Sequence, residues 1–241
     1  MTPGTATAVA PPATKPLRDV RGFWRVLLAV IAPLPMLAKG IFYLLTPAEG
    51  SDDFKHTVAA FAAHQQLVGT LKWFDAVFVA GLVPATFAVA WAARRGAPRL
   101  TTAGAVISLL GFLAGCTLLG GVETPALLTV QHHLDTAAVA KLDDALSAEP
   151  LIQLSGLLFI IGIVVGLALL GAALWRSRVV PAWAGIALIV GGATHPFIPS
   201  HVGQGVGLLV AAAGFTAAGI ALLRMRNDEF DLPPTRSLTQ G

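Results

Sequence analysis

Six long apolar stretches alternate with polar connections along this chain, at about residues 23–45, 73–93, 101–122, 151–175, 180–194 and 206–223. A bilayer core about 30 Å thick takes about 20 apolar residues in helical form. Helix is the form that lets such a segment satisfy its own backbone N–H and C=O groups in lipid. The pattern therefore predicts an all-α polytopic membrane protein, a six-transmembrane-helix bundle. Pro33 and Pro35 stand inside the first stretch and predict a kink or break there. Pro84 lies within the second, and Pro181 falls in the first turn of the fifth.

Two of the connections are longer and carry helical periodicity, so the outer segments are expected to be partly helical. In 46–71, Ser51 is placed as an N-cap, with Asp52 and Asp53 in the first turn where carboxylates complement the helix dipole. Phe54, Val58, Phe61, Gln65 and Val68 follow at helical spacing, the signature of an amphipathic helix lying on the membrane surface. In 123–150, two short helices are expected, one after Thr124-Pro125 and one after Asp135. The Thr/Ala/Pro-rich residues 1–21 and the polar residues 227–241 read as disordered tails around one transmembrane domain, 22–226.

Charge sets the expected orientation. All 11 Arg residues fall in the two tails, at the tail-side ends of the first and last stretches, or in the connections between stretches 2–3 and 4–5. That side holds 12 Lys/Arg against 4 Asp/Glu, and the other holds 4 Lys against 9 Asp/Glu. The pattern places both termini in the cytoplasm and the chain in the cell (plasma or inner) membrane. The first stretch is too long for a cleavable signal and reads as a retained anchor. Composition agrees: the chain is 55% hydrophobic and 12% charged, against roughly 25% charged for soluble domains. The net charge of +3 is explained by this sidedness and does not call for nucleic acid. The lipid bilayer is the first partner expected, with the basic side against anionic headgroups. The outer segments offer surfaces for a protein partner.

Small residues recur at four-residue spacing, as in Gly104/Ser108, Gly111/Gly115, Gly162/Gly166 and Gly203/Gly207/Ala211. Such faces let helices approach closely in lipid. They are read as packing within the bundle, with a homo-oligomer contact as the alternative. The single cysteine, Cys116, has no internal disulfide partner and reads as a small buried hydrophobe.

Candidate chemistry concentrates at one end of the stretches. Lys39 is the only charge well inside an apolar span, about 10 Å below Thr46 by helix rise. Asp75 lies at the same end of the next stretch, and pairing would lower the desolvation cost of both. Such a pair suits substrate binding or proton transfer. The alternative has Lys39 reaching to the headgroups and Asp75 capping its helix. His195, followed by Pro196, which removes a backbone donor and is expected to break the helix, completes the expected substrate-binding set of Lys39, Asp75 and His195.

All six histidines fall on the outer side or its edge. His132, His133, His195 and His201 are the candidate metal ligands, since imidazole is a common ligand for zinc, copper and nickel. Adjacent residues on a helix point about 100° apart, which argues against His132 and His133 sharing one ion. No H-E-x-x-H or C-x-x-C spacing, calcium loop, P-loop, dinucleotide fingerprint or nucleophile elbow occurs, and no helix centre holds a His for haem. No motif specifies a cofactor or a catalytic residue. The leading expectation is a protein that binds or passes a small solute or ion through an outward-facing cavity. The alternatives are a non-enzymatic accessory or sensory protein with a partner-binding outer face, and a metalloprotein built on the outer histidines.

Overall fold

The first apolar stretch is broken into two helices by its prolines. Pro33 and Pro35 carry no backbone N–H to continue the ladder. So α1 (Arg21–Ile31) ends before them, and α2 (Leu34–Leu45) restarts with Pro35 in its first turn. The computed structural model describes residues 19–50, 52–118 and 123–231, and among these every regular element is helical. The helices that follow are α3 (Phe54–Ala63), α4 (Gln65–Ala93), α5 (Pro98–Gly115), α6 (Glu123–His132), α7 (Thr136–Ser147), α8 (Pro150–Ile161), α9 (Leu167–Ser177), α10 (Ala182–Phe197), α11 (His201–Arg224) and α12 (Asn227–Phe230). A π-helical turn, Gly162–Gly166, joins α8 to α9 without interruption.

Five stretches are long and apolar enough to cross a membrane: α1 with α2, α4, the stretch that starts with α5, α8 with α9, and α11. The sixth, α10, is apolar but has 16 residues, about 24 Å of helix. Leucines such as Leu110, Leu151, Leu154 and Leu157 are more than half exposed on the outside of the bundle. In water a face of that kind would be an aggregation liability. In lipid it is the expected contact surface.

The centre of the bundle is α11, which packs on α1, α2, α4 and α10. Backbones approach closely where glycines meet. A Cβ placed on Gly111 of α5 would fall 2.5 Å from the Leu158 carbonyl oxygen and 2.6 Å from Gly162 Cα. Beside it, Ser108 Oγ donates to the Gly162 carbonyl at 3.3 Å. The small-residue spacings thus face partners within the chain, and here they bring α5 against the π-helical turn.

The arginine-bearing ends converge. Arg25 donates to the Met225 carbonyl and to Asn227 Oδ1 (2.7 Å), and Arg21 to Asp231 Oδ2 (2.7 Å). Trp91 Nε1 donates to the Phe230 carbonyl at 3.0 Å, and Arg94 stacks on the Trp91 ring at 4.0 Å. Residues 227–231 therefore do not belong to a disordered tail. Phe230 is a buried apolar anchor, and the arginines of α1 and of the turn after α4 satisfy the carbonyls and carboxylates around it. Gly96, in the α4–α5 turn, sits against Ser177 at the end of α9, where an added Cβ would fall 2.5 Å from Ser177 Cα.

The opposite, far end carries α3, α6 and α7. Phe61, Val68, Ala48, Ala126 and Leu127 form a small second core there. The amphipathic helix expected over 46–71 is two elements: α3 stops at His64, and α4 starts at Gln65, eight residues before the expected 73. Asp53 caps α3, accepting from the His56 N–H at 2.7 Å; Ser51 lies outside the described residues. A helix follows Asp135 as expected, α7, and Asp135 caps it, accepting from the Ala138 N–H at 2.6 Å. Cys116 is exposed rather than buried, because α5 ends at Gly115 and the chain turns through a 3₁₀ segment, Cys116–Leu118.

Valine at position 111 should lower the unfolding free energy in detergent by about 3 kcal/mol, the upper end of overpacking. Gly69, with nothing within 4 Å of an added Cβ, should accept alanine with a gain of up to about 1 kcal/mol. Thermal melts of both variants beside the wild type check this.

Candidate functional site

Lys39 and Asp75 meet near the far end of the bundle. The break at Pro33 lets α2 pack its Lys39 face on both α4 and α11. Lys39 is buried, at 8% exposure, and its Nζ donates to Asp75 Oδ1 at 2.6 Å. Asp75 does not cap its helix: α4 begins ten residues earlier, so this carboxylate stands three turns inside. The ammonium also lies over three aromatic rings, 4.1 Å from the Phe42 centroid, 4.9 Å from Tyr43 and 5.7 Å from Phe78. Ring faces attract a cation electrostatically. The aromatic faces and the carboxylate together replace the water that a lysine loses at this depth.

The pair lines a cavity of about 310 Å³, within the lower range of small-ligand sites, roughly 300–1,000 Å³. Its polar wall includes Lys39, Tyr43, Lys72, Asp75, Glu123 and His195, and its apolar wall includes Phe78, Leu82, Phe112 and Phe159. Gly156 also lines it, with open space where a side chain would project. Lys72 stands one helical turn from Asp75 on α4, and Glu123 starts α6. Among the described residues neither forms an ion pair, so the wall presents one ammonium and one carboxylate beyond the Lys39–Asp75 pair.

His195 enters from the last turn of α10. Pro196 falls in that same turn and does not break the helix, which ends at Phe197. The His195 ring packs 5.6 Å from Tyr43 and edge-on to Phe159 at 5.9 Å, and its Nδ1 is buried with no hydrogen-bond partner among the described residues. His201 lies on the other side of Tyr43, with ring centroids 4.9 Å apart. A carbonyl oxygen only accepts, so His201 Nδ1 donates to Ala48 O at 2.7 Å, while the His201 N–H donates to Glu49 Oε2 at 2.8 Å. These bonds tie the α2–α3 turn to the start of α11, with the His201 ring against Tyr43. The Glu49 N–H in turn donates to Asp52 Oδ2 at 2.8 Å, holding that carboxyl below the usual carboxylate range.

The four candidate metal ligands do not come together. His195 and His201 flank Tyr43, whereas His132 and His133 are exposed where α6 ends, with His133 in a left-handed conformation (φ 51°). Among the described residues no three His, Cys, Asp or Glu side chains are arranged to hold a metal ion. Sequence reasoning missed the aromatic residues of the site. The available signal was spacing: Phe42 and Tyr43, the single tyrosine of the chain, follow Lys39 by three and four residues and so share its helix face.

Asparagine at position 75 leaves the buried ammonium without a counter-charge and should cost about 2 kcal/mol. That lies between the values for exposed and fully buried pairs, because Asp75 is partly exposed. Replacing both partners, Lys39→Met with Asp75→Leu, should restore much of that loss. Chemical or thermal unfolding of the single and double variants reads the difference.

Comparison with curated proteins returned no match, and comparison with solved structures returned none. The family model described as a domain of unknown function, DUF4386, matches residues 26–225, and the chain belongs to that family.

Proposed function

We propose that this multi-pass membrane protein binds a small solute bearing both a positive and a negative group, in the cavity around Lys39, Asp75 and His195. The arginine end is read as cytoplasmic and the membrane as the cell membrane, so the cavity faces outward. The single observation that carries the reading is a buried ion pair that borders open space. Charges inside the membrane layer are costly and mark binding sites or pathways. A pair needed for packing alone would be closed over by side chains, whereas Lys39 and Asp75 share a wall with Lys72, Glu123 and His195. The formal charges on that wall balance, which favours a zwitterion over a simple anion or cation. Phe78, Phe112 and Phe159 favour an apolar body on the same molecule. Binding rather than passage is the better-supported step, because below the cavity Ala85, Ala88, Val89 and Leu188 are fully buried.

Three probes with one branched apolar body test the class: leucine, 4-methylpentanoate and isopentylamine. Leucine at about ten times its Kd should raise the melting temperature of the detergent-solubilised protein by about 3–6 °C, and the single-charge analogues should raise it less. The Lys39→Met/Asp75→Leu variant, its folding checked by the same melt without ligand, should show no leucine shift. An equal shift from all three probes, no shift from any, or an unchanged leucine shift in the double variant would count against the reading.

A further inference from the structure

The arginine end divides into two unequal halves. On one side Arg21, Arg25, Arg94, Arg95 and Arg226 bond to residues 225–231 or to Asp19. On the other side a groove between α5 and α9 is lined by Gly96, Leu100, Ala172, Trp175, Arg176 and Arg178, with a volume of about 700 Å³. All 13 Asp and Glu of the chain lie within the described residues. The four at this end are Asp19, Asp228, Glu229 and Asp231, and their ion pairs go to Arg21 and Arg226. Among the described residues, Arg176 and Arg178 have no acidic partner.

The backbone adds an independent observation. Arg178 closes α9 in the left-handed conformation, φ 56° and ψ 18°. Helices commonly end with such a residue, but it is usually glycine, since a Cβ is strained there. An arginine held at a glycine position suggests a role for its side chain. Trp175 is half exposed beside it, at the level where tryptophan marks the membrane–water boundary. Leu100 and Trp175 give the groove an apolar wall beside the two arginines.

We propose that Arg176 and Arg178 hold the phosphate of an anionic membrane lipid in this groove, with the acyl chains running past Leu100 and Trp175 into the membrane. Guanidinium groups match phosphate oxygens in geometry and charge, and basic pockets between helices at the cytoplasmic face suit such headgroups. This site is separate from the cavity at the far end and does not depend on the solute reading.

The test adds phosphatidylglycerol, phosphatidylcholine or inorganic phosphate to the full chain in detergent, and follows thermal stability and retained lipid by native mass spectrometry. The wild type should be stabilised by phosphatidylglycerol and should retain it over phosphatidylcholine. Arg176→Gln with Arg178→Gly should weaken that retention roughly thirty-fold. Because glycine suits the left-handed position, this variant should fold at least as well as the wild type without lipid. Arg224→Gln with Arg226→Gln removes the same charge elsewhere and should leave retention unchanged. Equal loss in that control, full retention in the Arg176/Arg178 variant, or stabilisation by inorganic phosphate equal to that by phosphatidylglycerol would overturn the proposal.

Discussion

A lysine placed inside an apolar helix layer must be compensated where it stands, and the far half of this bundle is arranged around that requirement. Lys39 finds a carboxylate on α4, at 2.6 Å, and three aromatic faces around its ammonium. The proline break between α1 and α2 gives the second half of that span its own direction, so α2 packs on both α4 and α11. Tyr43, one turn beyond Lys39, then stacks between His195 and His201 and carries the arrangement to α10 and α11. Helices α4, α10 and α11 are thereby joined to one charged group on α2.

The two ends of the bundle solve different problems. At the arginine end the C-terminal strap uses Phe230 as an anchor, and arginines of α1 and of the turn after α4 bond the strap's carbonyls and carboxylates. Between the ends, glycines bring α5 against the π-helical turn so closely that a Cβ would collide with backbone. At the far end the helices diverge enough to leave a cavity, and a clamp of His201, Ala48 and Glu49 holds the turn beside it. Rigid packing in one half and a lined space in the other is a combination suited to holding a ligand site steady in lipid.

Much of this is legible in the sequence because lipid restricts what a chain can do. Apolar length and arginine placement lead to the helical bundle, and a lone lysine in an apolar span points to the site and to Asp75 as its partner. What was not legible depends on helix rotation and termination. Phe78, Phe112 and Phe159 look like ordinary core residues until neighbouring helices turn them toward one cavity. The histidines share one side of the sequence pattern, yet His132 and His133 end α6 at the surface while His195 and His201 point at a tyrosine. Cys116 looks buried by its neighbours, but α5 stops one residue before it. Phe230 looks like part of a polar tail, and only the fold supplies Trp91 for it to pack on.

On the reading proposed here the Lys39–Asp75 cavity is open to water at the face opposite the arginines. Gly156 lines it with space for a side chain, so a Gly156→Cys reporter in a Cys116→Ser background reads it directly. A charged, membrane-impermeant methanethiosulfonate should modify this cysteine from one face of the membrane only. A second reporter, Arg224→Cys, should be modified only from the other face. Reaction of both reporters from the same face would contradict the account, as would a residue 156 thiol that reacts only after the protein is denatured.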